Sequence, residues 1–469
     1  MTPDELVAAC ETLLGGKAVL RGEVAAPYFK DWRGRYLGDA IAVVFPANTQ
    51  QVSVIVKLCA ENSIAIVPQG GNTSLCGASV PLADDTPQLV VNVSHLNQIR
   101  SLDATNYTIT VEAGCKLASL YEATERVDRL FPLGLTAIAP HCEIGGNLST
   151  NAGGIGVLRY GNARDLVLGL EVVLPDGRIW NGLRSLRKDN TGYDLKHLFL
   201  GAEGTLGIIT AAVLKLYPRP KSVATACVAV RSPAAAVALL AHLRATCGDK
   251  ISSFELVSRT CLTLVFKHIA GTLEPFATEH EWMVIIQLSD VLKMPLDGVM
   301  HDALKSFQDG VIEFAVTADQ DLAERWWALR KNISEAQKCE GISIKHDIAV
   351  PVSCVAVFIE QASTALREVY PGIRIVAFGH MGDGNIHYNL SLHDAAANTR
   401  FIEQHEREVN RIVYQIVAEL HGSISAEHGL GQLKRDEIRH YKSELELELM
   451  RNIKNTLDPQ GLMNPGKVL

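Results

Sequence analysis

Residues 144–156 read Ile-Gly-Gly-Asn-Leu-Ser-Thr-Asn-Ala-Gly-Gly-Ile-Gly and hold five glycines in thirteen positions, more than a helix or strand tolerates. A run this dense implies a backbone that comes close to something flat or anionic. An earlier run, residues 68–74 (Pro-Gln-Gly-Gly-Asn-Thr-Ser), follows a strand-like stretch and places small residues and two hydroxyls where backbone N–H groups can converge on a phosphate. A third stretch, Asn-Thr-Gly-Tyr-Asp-Leu-Lys at 190–196 and Gly-Ala-Glu-Gly-Thr-Leu-Gly at 201–207, extends the pattern. None of the three is G-x-G-x-x-G or G-x-x-x-x-G-K-[ST], which speaks against a Rossmann or P-loop site.

The chain carrying these runs has 469 residues, enough for roughly three folding units at about 150 residues each. With 47% hydrophobic and 20% charged residues it can bury cores and is no disordered chain. Its formal charge of -8 argues against a nucleic-acid or membrane-surface binder, either of which needs a basic field. The ten cysteines are scattered without a C-x-x-C pair, fitting neither a disulfide framework nor a cysteine zinc site. The N-terminus is acidic and helix-like rather than a signal peptide, and no apolar run approaches a membrane span, so a cytoplasmic location is the expectation.

From Ala42 the order is strand, amphipathic helix, strand and then the first glycine run, which predicts an α/β unit. Further strand-like runs lead to a boundary near Pro218 and Pro220, after which strands and helices alternate as in a second α+β domain. Within it the pattern predicts one continuous helix across residues 321–338 and, later, a long amphipathic helix across residues 399–420.

Residues 378–389, Phe-Gly-His-Met-Gly-Asp-Gly-Asn-Ile-His-Tyr-Asn, read as strand, turn, strand, with His380 and His387 flanking a hairpin whose glycines let the two imidazoles converge. Downstream, Ser425-Ala-Glu427-His428-Gly429 supplies a carboxylate beside a third imidazole. Two histidines and a glutamate without a usable cysteine suit zinc, manganese or iron with open coordination positions. Taken alone, such a set also suits a metal-dependent hydrolase. Arg330 and Ser334, four apart, share one face of the expected helix, and Lys345 lies on a strand that can run beside it.

The runs P-x-G-G-N-[TS], G-G-N-[LI]-[SA]-x-N-A-G-G and G-[AS]-E-G-T-L-G, in this order, resemble the FAD-binding domain of the vanillyl-alcohol oxidase/p-cresol methylhydroxylase superfamily across about the first 220 residues. The resemblance implies an α+β protein with a two-lobed FAD-binding domain of the p-cresol methylhydroxylase (PCMH) type at 1–220. An α+β substrate or cap domain with an antiparallel sheet would follow at 221–425, and a C-terminal helical segment at 426–469 would return to the FAD domain. It implies that Pro68, Gln69, Gly70, Gly71, Asn72, Thr73 and Ser74 surround the FAD pyrophosphate. Pro140, Gly145, Gly146, Ser149, Thr150, Asn151, Gly153 and Gly154 would line the flavin, with Glu203, Gly204 and Ile209 as further contacts. Members that bond FAD covalently at the first loop place His where this chain has Asn72, so dissociable FAD is expected.

The motifs G-H-x-G-D-G-N-[IL]-H and [SG]-x-E-H-G-[IL]-G are similar to those of the C-terminal domain of FAD-linked 2-hydroxyacid dehydrogenases, nearest the D-2-hydroxyglutarate branch. That resemblance implies His380, His387 and Glu427 as ligands of a divalent metal, with zinc first, and His428 as general base. Arg330, Ser334 and Lys345 would hold a distal substrate carboxylate, and Asn389, His428 and Asn464 would complete the substrate site, Asn464 also approaching the flavin. Two cations besides the metal are more than one carboxylate needs, which favours a dicarboxylic D-2-hydroxyacid, D-2-hydroxyglutarate ahead of D-malate or D-lactate. The implied partners are that small anionic acid and an electron acceptor such as a quinone or electron-transfer flavoprotein, with no nucleic acid and no integral membrane segment. A homodimer is the commonest outcome for such assemblies.

Overall fold

The strand–helix–strand order after Ala42 forms as its residue pattern dictates. In the computed structural model, which describes residues 1–135, 138–307 and 309–469, β2 (Ala42–Val44) is followed by the helix Thr49–Glu61 and β3 (Ala65–Gln69). Asn48 caps that helix through the Gln51 N–H, and Val52, Ile55, Val56 and Cys59, spaced at helical intervals, are all fully buried. β4 (Gln88–Asn92) pairs in parallel with both β2 and β3, and the short β1 (Val19–Leu20) closes the other edge antiparallel to β2. The open edge of β3 is covered by the C-terminal tail, where Ile66 donates to Leu462 O and Asn464 donates back to Ile66 O.

A second, antiparallel sheet has the order β5 (Ile99–Asp103), β6 (Thr108–Glu112), β10 (Ile208–Lys215), β8 (Val167–Val173) and β9 (Ile179–Asn181). A small antiparallel pair, β7 (Arg129–Leu130) with β11 (Tyr217–Pro218), stands apart from both sheets. These sheets, with residues 1–153, 161–218 and 427–469, make up the first of two units.

The second unit contains residues 154–160 and 219–426. Its seven strands run β15 (Val311–Thr317), β12 (Ser222–Val230), β14 (Trp282–Asp290), β13 (Ile251–Ser258), β17 (Ile373–His380), β18 (Asn385–Leu392) and β16 (Ile344–Ala349), each antiparallel to its neighbours. Helices Pro233–Cys247, Leu296–Ser306, Val355–Val369 and Asn398–Glu419 cover one face. Helices Arg259–His268, Gln320–Lys331 and Ile333–Glu340 pack on the other, where Val257, Val376 and Phe378 meet Trp326, Trp327, Leu329 and Ile333. Among the described residues no helix is long and apolar enough to cross a membrane.

Residues 321–338 do not form the single helix that their periodicity predicts. Asn332 ends the first helix and begins the second, with φ -88° and ψ 0°, and its backbone and side-chain nitrogens both donate to Ala328 O. Arg330 and Ser334 therefore do not share one continuous helical face: Arg330 is buried, and Ser334 is exposed on the first turn after the break.

The helices on this face are tied to the sheet through Glu340, whose carboxylate accepts from Lys267 Nζ at 2.7 Å, pairs with His268 Nε2 at 2.6 Å and accepts from Arg374 Nη1 at 2.6 Å. The Lys267 hydrogen bond, aided by His268 and Arg374, holds the Glu340 carboxyl at about 2 against the opposing effect of burial. A carboxylate held below its unfolded value stabilises the fold above pH ~4.3 and loses that contribution as pH falls towards the folded value, at most ~3 kcal/mol here. The melting temperature should therefore drop between pH 5 and pH 3. Glu340→Gln should melt lower at pH 7 and show a flatter acid limb; an unchanged acid limb would refute the assignment.

Candidate active site

In the first unit the glycine runs meet around one cleft with about 1150 Å³ of empty space, its open mouth included. Residues 68–74 form one wall, Gly145, Gly146, Ser149, Thr150 and Gly153 a second, and Glu203, Gly204 and Ile209 a third. Glycine is required at Gly71 because a Cβ there would stand 2.1 Å from His141 O. Gly146 differs: a Cβ there would meet no protein atom within 4 Å, so its open space is the cleft itself.

The polar side chains of the first loop are largely committed. Gln69 donates to Tyr28 O and Ser79 O, both at 2.8 Å, and Asn72, at φ +52°, donates to Lys30 O and accepts from Ser79 Oγ. That leaves backbone N–H groups as the natural donors towards an anion.

Three residues expected at the flavin stand elsewhere. Pro140 is exposed in a turn, and Leu135 and Ile138 line the cleft from that stretch. Asn151 accepts the Arg164 N–H through its side-chain oxygen at 2.9 Å and is absent from the cleft wall. Gly154, at φ +133°, turns the chain into the second unit, where Ile155 O accepts from Ser253 Oγ and Arg159 donates to Ser289. Asn464 is a fourth correction: it is absent from the cleft wall, and its amide nitrogen donates to Ala78 O at 2.9 Å and Glu203 O at 2.7 Å, bracing two wall residues.

Residues 427–431 fold onto the same unit. The buried Glu203 carboxylate accepts the Leu430 and Gly431 N–H groups at 2.7 and 2.8 Å, and burial raises its pKa although these donors and Lys434 oppose it. This anchoring puts Glu427 and His428 on the cleft wall, with His428 Nε2 3.8 Å from Glu427 Oε1.

In the second unit the expected hairpin is present, with β17 and β18 joined across residues 381–384 and the rings of His380 and His387 5.6 Å apart. Register decides which side chains join them. Asp347 is opposite His387 across β16, with 3.7 Å between Oδ1 and Nδ1, and Lys345 is opposite Asn389, so all four point to one face. Lys345 is half-buried, and Asn389 donates to Gln337 Oε1 at 3.0 Å.

Glu255 on β13 completes this face and was not anticipated. Its carboxylate receives His380 Nδ1 at 2.7 Å and Arg330 Nε at 2.7 Å, while the Arg330 guanidinium lies 4.8 Å from the centre of the Phe378 ring. Burial would raise the Glu255 pKa, but His380 and Arg330 overcome it and hold the carboxyl at about 2. The ionised carboxylate holds the His380 ring in place through Nδ1. A carboxylate behind an imidazole is the usual support of a metal-ligating histidine, so this donor set fits a divalent ion. Asp347 is held as well, accepting from Asn385 Nδ2 at 2.9 Å and from the Ala426 N–H.

Comparison with known proteins divides the chain before residue 219, with the second match running on through residues 427–468 of the first unit. Residues 40–182 match the family model described as FAD binding domain, and residues 219–468 match FAD linked oxidases, C-terminal domain. The chain belongs to the FAD-linked oxidase family. This FAD-linked oxidase is 37% identical over 444 residues to the D-2-hydroxyglutarate dehydrogenase, mitochondrial, of Arabidopsis thaliana, covering 94% of this chain and 77% of the relative. Identity to the Bos taurus protein of the same name is 36% over 478 residues, covering 100% and 84%. A D-2-hydroxyglutarate–pyruvate transhydrogenase of Saccharomyces cerevisiae is 33% identical over 456 residues, covering 95% and 90%. Among solved structures, p-cresol methylhydroxylase with substrate bound superposes with a TM-score of 0.77 at 18% identity, covering 99% of this chain and 96% of that one, a likeness of fold. The protein is thus an FAD-dependent oxidoreductase acting on CH–OH donors. The cleft suits that cofactor, since its wall offers a glycine opening at Gly146 and backbone N–H groups at residues 70–74.

Proposed function

We propose that this flavoprotein oxidises a D-2-hydroxyacid, D-2-hydroxyglutarate first, to the 2-oxoacid. The observation that carries the reading is the relationship along nearly the whole chain to proteins named for that substrate. When bound, dissociable FAD supplies the oxidising power and a divalent metal, zinc first, supplies Lewis acidity that lowers a hydroxyl pKa.

His380 and His387, with Glu427, are the residues that would hold the metal; the Glu255 carboxylate behind His380 supports this assignment. His428, on the wall of the flavin cleft, accepts the substrate hydroxyl proton on a ring nitrogen as the Cα hydride departs. Arg330, held through Nε by Glu255, offers its terminal nitrogens to the distal carboxylate, and Lys345 adds a second cation. Asn389, opposite Lys345 on the same sheet face, completes that grip, which turns one face of Cα to the oxidant, while the exposed Ser334 takes no part in it.

The test is a panel of D- and L-2-hydroxyacids with an artificial electron acceptor, followed by flavin bleaching. D-2-hydroxyglutarate should bleach the flavin fastest, with D-malate and D-lactate slower. Chelation should leave the protein yellow and stop turnover, and added zinc or manganese should restore it. Turnover that survives chelation would remove the metal from the mechanism, and no bleaching by any of these acids would remove the substrate class.

A further inference from the structure

Glu143 stands in the wall of the flavin cleft and has no part in the chemistry above. It precedes the helix Ile144–Ser149, is only 5% exposed, and its Oε2 has no hydrogen-bond partner among the described residues. It lines the cleft together with both glycine loops, and a Cβ built on Gly70 would come within 3.4 Å of that same oxygen. The acid is therefore packed against the loop whose backbone faces the anionic part of the dinucleotide.

An ionised carboxylate there would add an uncompensated charge to a buried wall and repel a diphosphate. A neutral carboxylic acid at the same position is a hydrogen-bond donor. The neighbouring titratable groups are Lys116, paired to Glu143 by a backbone bridge, with Cys115, Cys142 and His141 along the chain and Glu203, Glu427 and His428 elsewhere on the cleft wall. Burial pushes the Glu143 carboxyl up to about 8, with Lys116 pulling the other way.

We propose that Glu143 is a proton-carrying wall of the cofactor site: it receives FAD as a neutral acid, donates from its carboxyl to a cofactor oxygen, and couples FAD binding at alkaline pH to uptake of one proton. This rests on FAD as the occupant of the cleft. Glu143 acts as a positioning residue, and its conjugate base is the form that the cofactor excludes. Below the free protein's transition the acid already carries its proton and affinity is flat. Above it, each FAD bound must return a proton to Glu143, so the dissociation constant rises by about tenfold per pH unit.

The experiment is calorimetric titration of full-length apoprotein with FAD from pH 6.5 to 9.5, in buffers of contrasting ionisation heat that report the protons taken up. Wild-type protein should take up almost none at pH 6.5 and approach one at pH 9.5. Glu143→Gln keeps a donor and loses the titration, so it should take up none and bind within about threefold of wild type at pH 7. Lys116→Met removes the opposing charge and should move the onset of uptake to higher pH, a readout that does not depend on Glu143→Gln folding. Binding without proton uptake, or equal uptake by wild type and Glu143→Gln, would overturn the inference while leaving FAD in the cleft. Failure to bind FAD at any pH would overturn the flavin reading and this inference together.

Discussion

Glu255→Ala should lower the stability of the second unit by ~3–5 kcal/mol and abolish turnover, while the protein remains yellow. Glu255 is 1% exposed and is the common partner of Arg330 and His380, so its removal strands a buried guanidinium and frees the imidazole ring to move. Glu255→Gln separates the two effects. It preserves volume and can accept one hydrogen bond, so part of the stability should return, whereas metal affinity should stay ~10–100-fold weaker because the charge behind His380 is gone. Denaturant unfolding and competition with a metal indicator measure the two quantities. Wild-type metal affinity in Glu255→Gln would show that the carboxylate serves the Arg330 pair alone.

His428→Ala should slow flavin reduction by ~10²–10⁴-fold with little change in the flavin spectrum of the resting protein. His428 lies on the cleft wall but is held there by its neighbours, since the Leu430 and Gly431 N–H groups bind Glu203 and the Cys76 Sγ contacts Gly429 O at 3.5 Å. Truncating the imidazole removes a proton acceptor and leaves those anchors in place. Stopped-flow reduction by D-2-hydroxyglutarate measures the loss directly, and its pH profile should lose the limb that reports the base. Reduction at the wild-type rate would rule out His428 as that base.

Features set by covalent geometry or local periodicity could be read from the residues. The glycine runs imply close backbone approach because no other residue permits it, and they line the cleft at residues 68–74 and at Gly145, Gly146 and Gly153. The His380–His387 hairpin was equally legible, since two apolar strands flank a glycine turn. The break at Asn332 was not, because the apolar spacing of Trp326, Leu329, Ile333 and Ala336 runs through it without interruption. There a local hydrogen bond from Asn332 to Ala328 competes with helix continuation, a choice that periodicity does not register. Glu255 left one faint trace, a lone acid between the apolar Phe254 and Leu256 of a strand-like run. Its partners lie 75 and 125 residues away, and only strand register brings them together.

By itself, then, the amino-acid order determined the α+β class, the glycine walls of a cofactor cleft and the donors available for chemistry, because each follows from what a residue type permits its own stretch of backbone to do. Tertiary structure decided which donors are spent. It turned Asn464 from a ligand contact into a brace for two walls, sent Gly154 into the second unit, separated Ser334 from the face of Arg330 and paired Arg330 and His380 with one buried acid. Those outcomes depend on a buried polar group satisfying itself with whatever the fold brings near, and such neighbours are distant in the chain.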